Sequence, residues 1–154
     1  MSGLKFYAYP GQGKVLRGHL WYSQAVRVGD RIEISGQGGW DTETGKIKTD
    51  PLEEIDQAFA NVDYTLKHTG GKGWSQVYKV NAYVVEAEMD NEAFLGRFIE
   101  NLRKWCPDHQ PSLTAVGVSK LGAGDSAGMR LELEVVAHDP EGVAVTAEKQ
   151  VAFS

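Results

Sequence analysis

The sequence predicts an α+β fold in which two helices pack on one face of a mixed β-sheet. Two segments, 50–69 and 90–105, repeat apolar residues at steps of three and four, and each carries a single apolar stripe. Short runs rich in β-branched and aromatic residues stand before, between and after them, in the order strand, strand, helix, strand, helix, strand, strand. Helices with one apolar stripe each need a sheet face to bury it. At 154 residues the chain is long enough for one domain with a proper core.

Taken in order, residues 1–20 show no clear period and read as a surface loop leading into the first strand. Tyr9-Pro10-Gly11-Gln12-Gly13-Lys14 superficially resembles a phosphate loop. It lacks the four-residue spacer between glycines and the hydroxyl residue after lysine, so a nucleotide site is excluded. Ala25–Val28 and Arg31–Ser35 form a hairpin joined at Gly29-Asp30, a pair suited to a turn that needs positive φ. Ile32 and Ile34 then share one face, and Arg31, Glu33 and Ser35 the other. Next, Gly36, Gly38 and Gly39 surround Gln37, followed by Trp40 and a polar turn through Gly45. Glycines at a strand end admit a ligand or another backbone, and a tight turn or bulge uses the same residues.

The first helix starts with Asp50 as cap, Pro51 at the first helical position and Glu53–Glu54 at the positive end of the dipole. Leu52, Ile55, Phe59, Val62 and Leu66 form its stripe, with Glu54, Asn61 and Lys67 nearer solvent and Gly70–Gly71 as the stop. His68 falls in the last turn, a structural place for a cation. Gln76–Glu86 reads as a central strand buried on both faces, in which Asn81 is either a bonded core residue or part of a pocket. Asp90 or Asn91 caps the second helix, whose Phe94, Phe98, Leu102 and Trp105 face the core, and Cys106-Pro107 closes it. Leu113–Ser119 and Arg130–Ala137 are strands joined by a long hairpin connection through Gly122, Gly124 and Gly128. That glycine order opens no helix, so it is no dinucleotide fingerprint. Val143, Val145 and Val151 alternate weakly, as an additional edge strand would.

A formal net charge of −5 argues against a broad nucleic-acid surface. Cys106 is the single cysteine, so neither an intrachain disulfide nor a thiolate zinc cluster is expected, and nothing in its neighbourhood activates it. His19, His68, His109 and His138 lack ligand spacing, and no metal or other cofactor is expected. No apolar run reaches membrane-spanning length and no signal-peptide core opens the chain, which points to the cytoplasm.

Three blocks carry a specific resemblance. YSQA at Tyr22–Ala25, V-G-D-R-I at Val28–Ile32 and SGQ at Ser35–Gln37 resemble, in residues and spacing, the N-terminal signature of the Rid (YjgF-like) family, many of whose members are imine or enamine deaminases. The K-V-N-A-Y segment at Lys79–Tyr83 is similar as well. The resemblance spans residues 22–137, leaving 1–21 and 138–154 as extensions. It implies a chorismate-mutase-like fold assembled as a homotrimer, with a small-molecule cleft at each subunit interface. The sheet face away from the helices independently needs a cover that one chain of this length does not supply.

The same resemblance implies a cleft formed by Tyr22, Ser35, Gly36 and Gln37. It also implies a water-positioning glutamate, here Glu132 of Glu132-Leu133-Glu134. It further implies an arginine that grips the substrate carboxylate, and here this chain departs. Aligning T-A-V-G-V-S-K-L with the family's S-C-V-E-V-A-R-L puts Leu113 at the arginine position and Ala115 at a neighbouring cysteine. Leucine has no donor to replace the two parallel charge-assisted bonds of a guanidinium. The substrate then lacks the carboxylate, another cation supplies the contact, or catalysis has been lost. By strand alternation Arg130 would project beside Glu132 and could be that cation; a solvated row of Arg130, Glu132 and Glu134 is the commoner use of such a pattern. The functions implied are a hydrolase of a reactive imine or enamine, a ligand-binding homologue without catalysis and, more distantly, an RNA-directed activity.

Overall fold

The computed structural model describes residues 3–122 and 128–142. Its elements are β1 (Lys5–Tyr7), α1 (Gln12–Leu20), β2 (Ala25–Val28), β3 (Arg31–Ile34), β4 (Gln37–Gly38) and α2 (Pro51–His68). A 3₁₀ turn, Gly73–Gln76, leads to β5 (Val77–Val85), α3 (Glu86–Met89), α4 (Glu92–Trp105), β6 (Ser112–Val118) and β7 (Leu131–His138). The strands make one sheet in the order β1-β2-β3-β7-β5-β6, with β4 also paired to β7. Only β5 and β6 are parallel, and α3 and α4 supply their crossover. The fold is the expected α+β class, a mixed sheet with α2 and α4 on one face.

Local chemistry accounts for the long elements. Gly29 turns the β2–β3 hairpin at φ 58, which pairs Val28 with Arg31. Asp50 caps α2 by accepting from the N–H groups of Leu52 and Glu53, with Pro51 as its first residue. Asn91, rather than Asp90, caps α4 through Ala93 and Phe94. Ile55, Phe59, Val62 and Leu66 of α2 meet Ile32, Leu131 and Leu133 in the core, where the Phe59 ring stacks on Trp74 at 4.9 Å.

Several expectations are corrected. Residues 1–20 are not a simple loop: β1 pairs antiparallel with β2, and α1 follows. β6 and β7 do not form a hairpin, because β5 lies between them, parallel to one and antiparallel to the other. Gly124, Val143, Val145 and Val151 lie outside the described residues. Glu54 and Asn61 are buried, not near solvent, because α2 packs its polar edge on the β4 loop. There Asn61 donates to the carbonyls of Gly38 and Trp40 at 2.8 and 2.7 Å. β5 is central in the sheet but buried on one face only: Val80, Ala82 and Val84 are covered, while Asn81 and Tyr83 on the opposite face are half-exposed.

That opposite face is the one without helices. It carries Phe6, Val26, Glu33, Asn81, Tyr83, Thr114, Val116, Glu132, Glu134 and Val136, as the strand registers require. β6 closes one edge of the sheet, and its residues from Ser112 to Gly117 are exposed on both faces.

Candidate functional site

The candidate site forms where β4 meets β7 on the open face. Gly38 pairs with Glu132, and Glu132 in turn lies opposite Tyr83 of β5. Gly36, between β3 and β4, allows this approach through space rather than backbone freedom. A Cβ there would stand 2.6 Å from Cγ and Cδ of Glu132 and overlap its carboxylate. The glycine is therefore the floor on which the glutamate side chain lies.

The two carboxylates of β7 have different surroundings. Glu134 accepts from Asn81 Nδ2 at 2.9 Å and from the Tyr83 hydroxyl at 3.4 Å. This answers the question of Asn81: it belongs to the open face and holds Glu134. Glu132 receives no hydrogen bond and no cation among the described residues, and burial, reinforced by the charge of Glu134, pushes its carboxyl above the usual glutamate range. The Tyr22 phenol is also raised, chiefly by burial, with the Gln24 amide opposing and the charge of Glu132 adding. Tyr22, Gly36 and Glu132 thus come together in one chain. A half-buried carboxylate whose affinity for a proton is raised, near a phenol, is suited to taking up and returning a proton.

Ser35 lies on the wall of an adjoining groove and donates its hydroxyl to the Ser23 carbonyl at 2.6 Å. The groove has a volume of about 750 Å³ and is lined by Phe6, Arg17, Trp21, Tyr22, Ser35 and Glu134 among others. Gln37, from the same signature, does not face it. Its side chain is fully buried, accepting from the Tyr9 hydroxyl at 3.1 Å and donating to Gln24 Oε1 at 2.8 Å. Trp40 extends this chain by donating to the Tyr9 hydroxyl at 3.0 Å. Gln37 therefore fixes the loop and leaves the lining to its neighbours.

Arg130 is not beside Glu132. It precedes β7, where its Nε lies 2.8 Å from Glu54 Oε2 and its Nη2 donates to the Thr49 carbonyl at 2.9 Å. Its backbone N–H also donates to Glu54 Oε1 at 2.6 Å. The guanidinium neutralises a fully buried acid on α2, whose own carboxyl burial pushes upward against the opposing arginine. Neither the expected pair with Glu132 nor a three-residue charge row forms.

Leu113 is 45% exposed on β6, paired with Val80, so it projects to the helix side of the sheet. With Ala115, Phe98 and Leu102 it lines an apolar hollow of about 270 Å³. Leu113 and Glu132 thus occupy opposite faces of one chain and cannot touch the same small ligand there.

Sequence reasoning missed Arg17, Trp21 and Tyr83. Arg17 lies on a helix with no clear apolar period and Trp21 follows its last turn, while Tyr83 was hidden within a strand read as buried on both faces. Among the described residues no group of His, Cys, Asp and Glu could hold a metal, and no helix is long and apolar enough to cross a membrane.

Comparison with known proteins places this architecture. The family described as Endoribonuclease L-PSP matches residues 16–139. A RutC family protein of Aquifex aeolicus is 34% identical over 116 residues, covering 75% of this chain and 86% of the relative. The 2-iminobutanoate/2-iminopropanoate deaminase of Dermatophagoides farinae is 41% identical over 64 residues, covering 41% of this chain and 49% of that protein. Among solved structures, protein YJGH superposes with a TM-score of 0.70 at 27% identity, over 88% of this chain and 95% of its own.

Proposed function

We propose that this chain, which belongs to the Endoribonuclease L-PSP (YjgF/Rid) family, is a hydrolase of a reactive imine or enamine, with Glu132 as its acid–base group. The observation that carries this reading is the Glu132 carboxylate, half-buried over Gly36 without a hydrogen-bond donor or counter-charge among the described residues. The relative named as a 2-iminobutanoate/2-iminopropanoate deaminase supports the reaction class. An enamine first tautomerises to the imine. Glu132 then accepts a proton from water as the water oxygen bonds to the imine carbon, and a proton returns to nitrogen. In the collapse the hydroxyl proton passes by way of Glu132 to the nitrogen, the C–N bond breaks as the C=O double bond forms, and ammonia and a carbonyl compound leave. Tyr22, whose phenol feels the charge of Glu132, would donate a hydrogen bond to the substrate oxygen as it becomes the carbonyl. No redox partner is needed.

Removing the carboxylate should lower turnover by about 10² to 10⁴, the usual contribution of a positioned general base. Imine decay is followed with an amino-acid oxidase supplying the imine, for the wild-type protein and for Glu132→Gln. Full activity in the variant would remove Glu132 from this role.

The site is proposed to be completed between chains, as a homotrimer. β6 is exposed along its length, Leu95 and Ile99 of α4 and Leu113 are exposed apolar neighbours, and Phe6 and Val116 stand uncovered on the open face. Sedimentation at micromolar concentration should give three times the chain mass, and a monomer would refute the assembly. A cytoplasmic location fits the single, buried cysteine and is checked by cell fractionation.

One observation favours a second reading, a ligand-binding homologue without catalysis: Leu113 provides no donor where the resemblance implies an arginine. The oxidase-coupled assay separates it, because a pure binder would leave imine decay unchanged. An RNA-directed activity has little support, since Glu33, Glu132 and Glu134 on the open face repel phosphates.

A further inference from the structure

The groove beside Glu132 contains a cation that neither β6 nor β7 supplies. Arg17 projects into it from α1, with Trp21 one helical turn further on, and Tyr22 and Ser35 line the same groove. Only one nitrogen of Arg17 is engaged: Nη2 lies 3.5 Å from the Phe6 carbonyl and 3.5 Å from Ser23 Oγ. Both contacts are at the outer limit for a hydrogen bond. Its Nε and Nη1 have no partner, and it forms no ion pair, among the described residues. Three of the five other arginines are engaged by acids; Arg31 and Arg103, like Arg17, form no ion pair among the described residues, and of these three Arg17 lines the groove. Arg27 is paired with Asp139, Arg97 with Asp56 and Arg130 with Glu54, each within 2.8 Å.

Trp21 adds a second, independent oddity. It ends α1 in the left-handed conformation, φ 59 and ψ 41, a place that usually goes to glycine. Its side chain is nevertheless 90% exposed, so no packing within the chain accounts for a large aromatic there. A guanidinium with unused donors and an uncovered indole flank one groove, and the groove leads to Tyr22.

We propose that Arg17 is the carboxylate-binding residue of this site, reaching from the N-terminal helix to hold a small carboxylate ligand while Trp21 covers it. The assignment rests on the hydrolase reading of the adjoining Glu132 site. A guanidinium edge matches a carboxylate in two parallel charge-assisted bonds, which Leu113 on the far face cannot make and Arg130, occupied by Glu54, is not free to make. Glu33 also faces the groove and Glu134 forms its wall, and their charge opposes an anion. Glu134 is partly satisfied by Asn81 and Tyr83, so affinity in the millimolar range is expected rather than tighter binding.

The test is binding of 2-oxobutanoate, a stable carbonyl compound with a carboxylate, against butanone, its counterpart without one, titrated by NMR into the assembled wild-type protein. Wild type should bind 2-oxobutanoate at least about tenfold more tightly than butanone. Arg17→Gln should bring 2-oxobutanoate to the butanone level, Arg17→Lys should fall between, and Lys14→Gln, which removes the same charge from the same helix outside the groove, should match wild type. Circular dichroism of each variant confirms that α1 and the sheet remain folded. Equal binding by Arg17→Gln and wild type, equal loss in Lys14→Gln, or no preference for the carboxylate in wild type would each overturn the assignment. The hydrolase reading fails separately: carboxylate binding that depends on Arg17, together with an unchanged rate of imine decay, would leave Arg17 in place and remove only the catalysis.

Discussion

The two faces of β7 receive opposite treatment from the rest of the chain. Leu131, Leu133, Val135 and Ala137 point to the helices and are essentially without solvent contact, whereas Glu132, Glu134 and Val136, alternating with them, are only half-covered. The same backbone ladder therefore carries a finished core on one side and an unfinished surface on the other. The polar groups repeat the contrast. On the helix side even the charged Glu54 is matched by Arg130, while on the open side, among the described residues, Glu132 has no donor and Arg17 leaves most of its own unused. Burial is concentrated on the first face, and unmatched polar groups are left on the second.

The contrast breaks most visibly by substitution on the covered side. Leu133 is fully buried, opposite Ala82 on β5 and Gln37 on β4, and lies in the main core cluster. Leu133→Ala should destabilise the protein by about 2–5 kcal/mol, the lost transfer energy plus the cavity left behind. It should lower the midpoint of chemical denaturation without changing which ligands bind below that midpoint. A cost under about 0.5 kcal/mol, the scale of ordinary surface substitutions, would mean that this face is not the stabilising one.

How much of this was legible in the sequence follows the same division. The covered face announced itself, because burial against helices forces a period: Ile55, Phe59, Val62 and Leu66 predict α2, Asp50 and Pro51 predict its start, and Ile32 with Ile34 predict the inward side of β3. Where partners are distant in the chain, the pattern gave no warning. Glu54 and Asn61 sit at ordinary surface positions of an amphipathic helix and are buried only because the loop around Gly38 folds over them. β1 is too short to show alternation, and α1 is preceded by Gly11, which has no side chain to cap it, so neither left a signature. In the site, Tyr22, Gly36 and Glu132 were legible through a resemblance whose residues the structure brings together. Gln37 belonged to the same motif yet turns inward to Tyr9 and Gln24, a choice fixed by three-dimensional neighbours alone. Arg130 was placed by strand alternation, and that reasoning failed because it stands one residue before β7 begins and so does not obey the alternation of the strand.

The smallest effect is expected from the open face, and it distinguishes the two faces by sign. Glu132 is pushed above its ordinary range in the native state, by burial first and by Glu134 second. The native protein therefore holds this proton more tightly than the unfolded chain does. Below the unfolded pKa of about 4.3 both states are protonated and the site costs nothing. As pH rises through the raised native value, the folded state must ionise an acid in poor surroundings, and the stability associated with its neutral form is lost. Glutamine has the same shape and never ionises. Glu132→Gln should therefore unfold at a higher temperature than wild type at pH 7, with the difference shrinking toward zero near pH 4, both measured at one protein concentration because assembly shifts the midpoint. A variant less stable than wild type at pH 7 would mean that the carboxylate is held by favourable contacts after all, and Glu132 would then belong with the finished face rather than the open one.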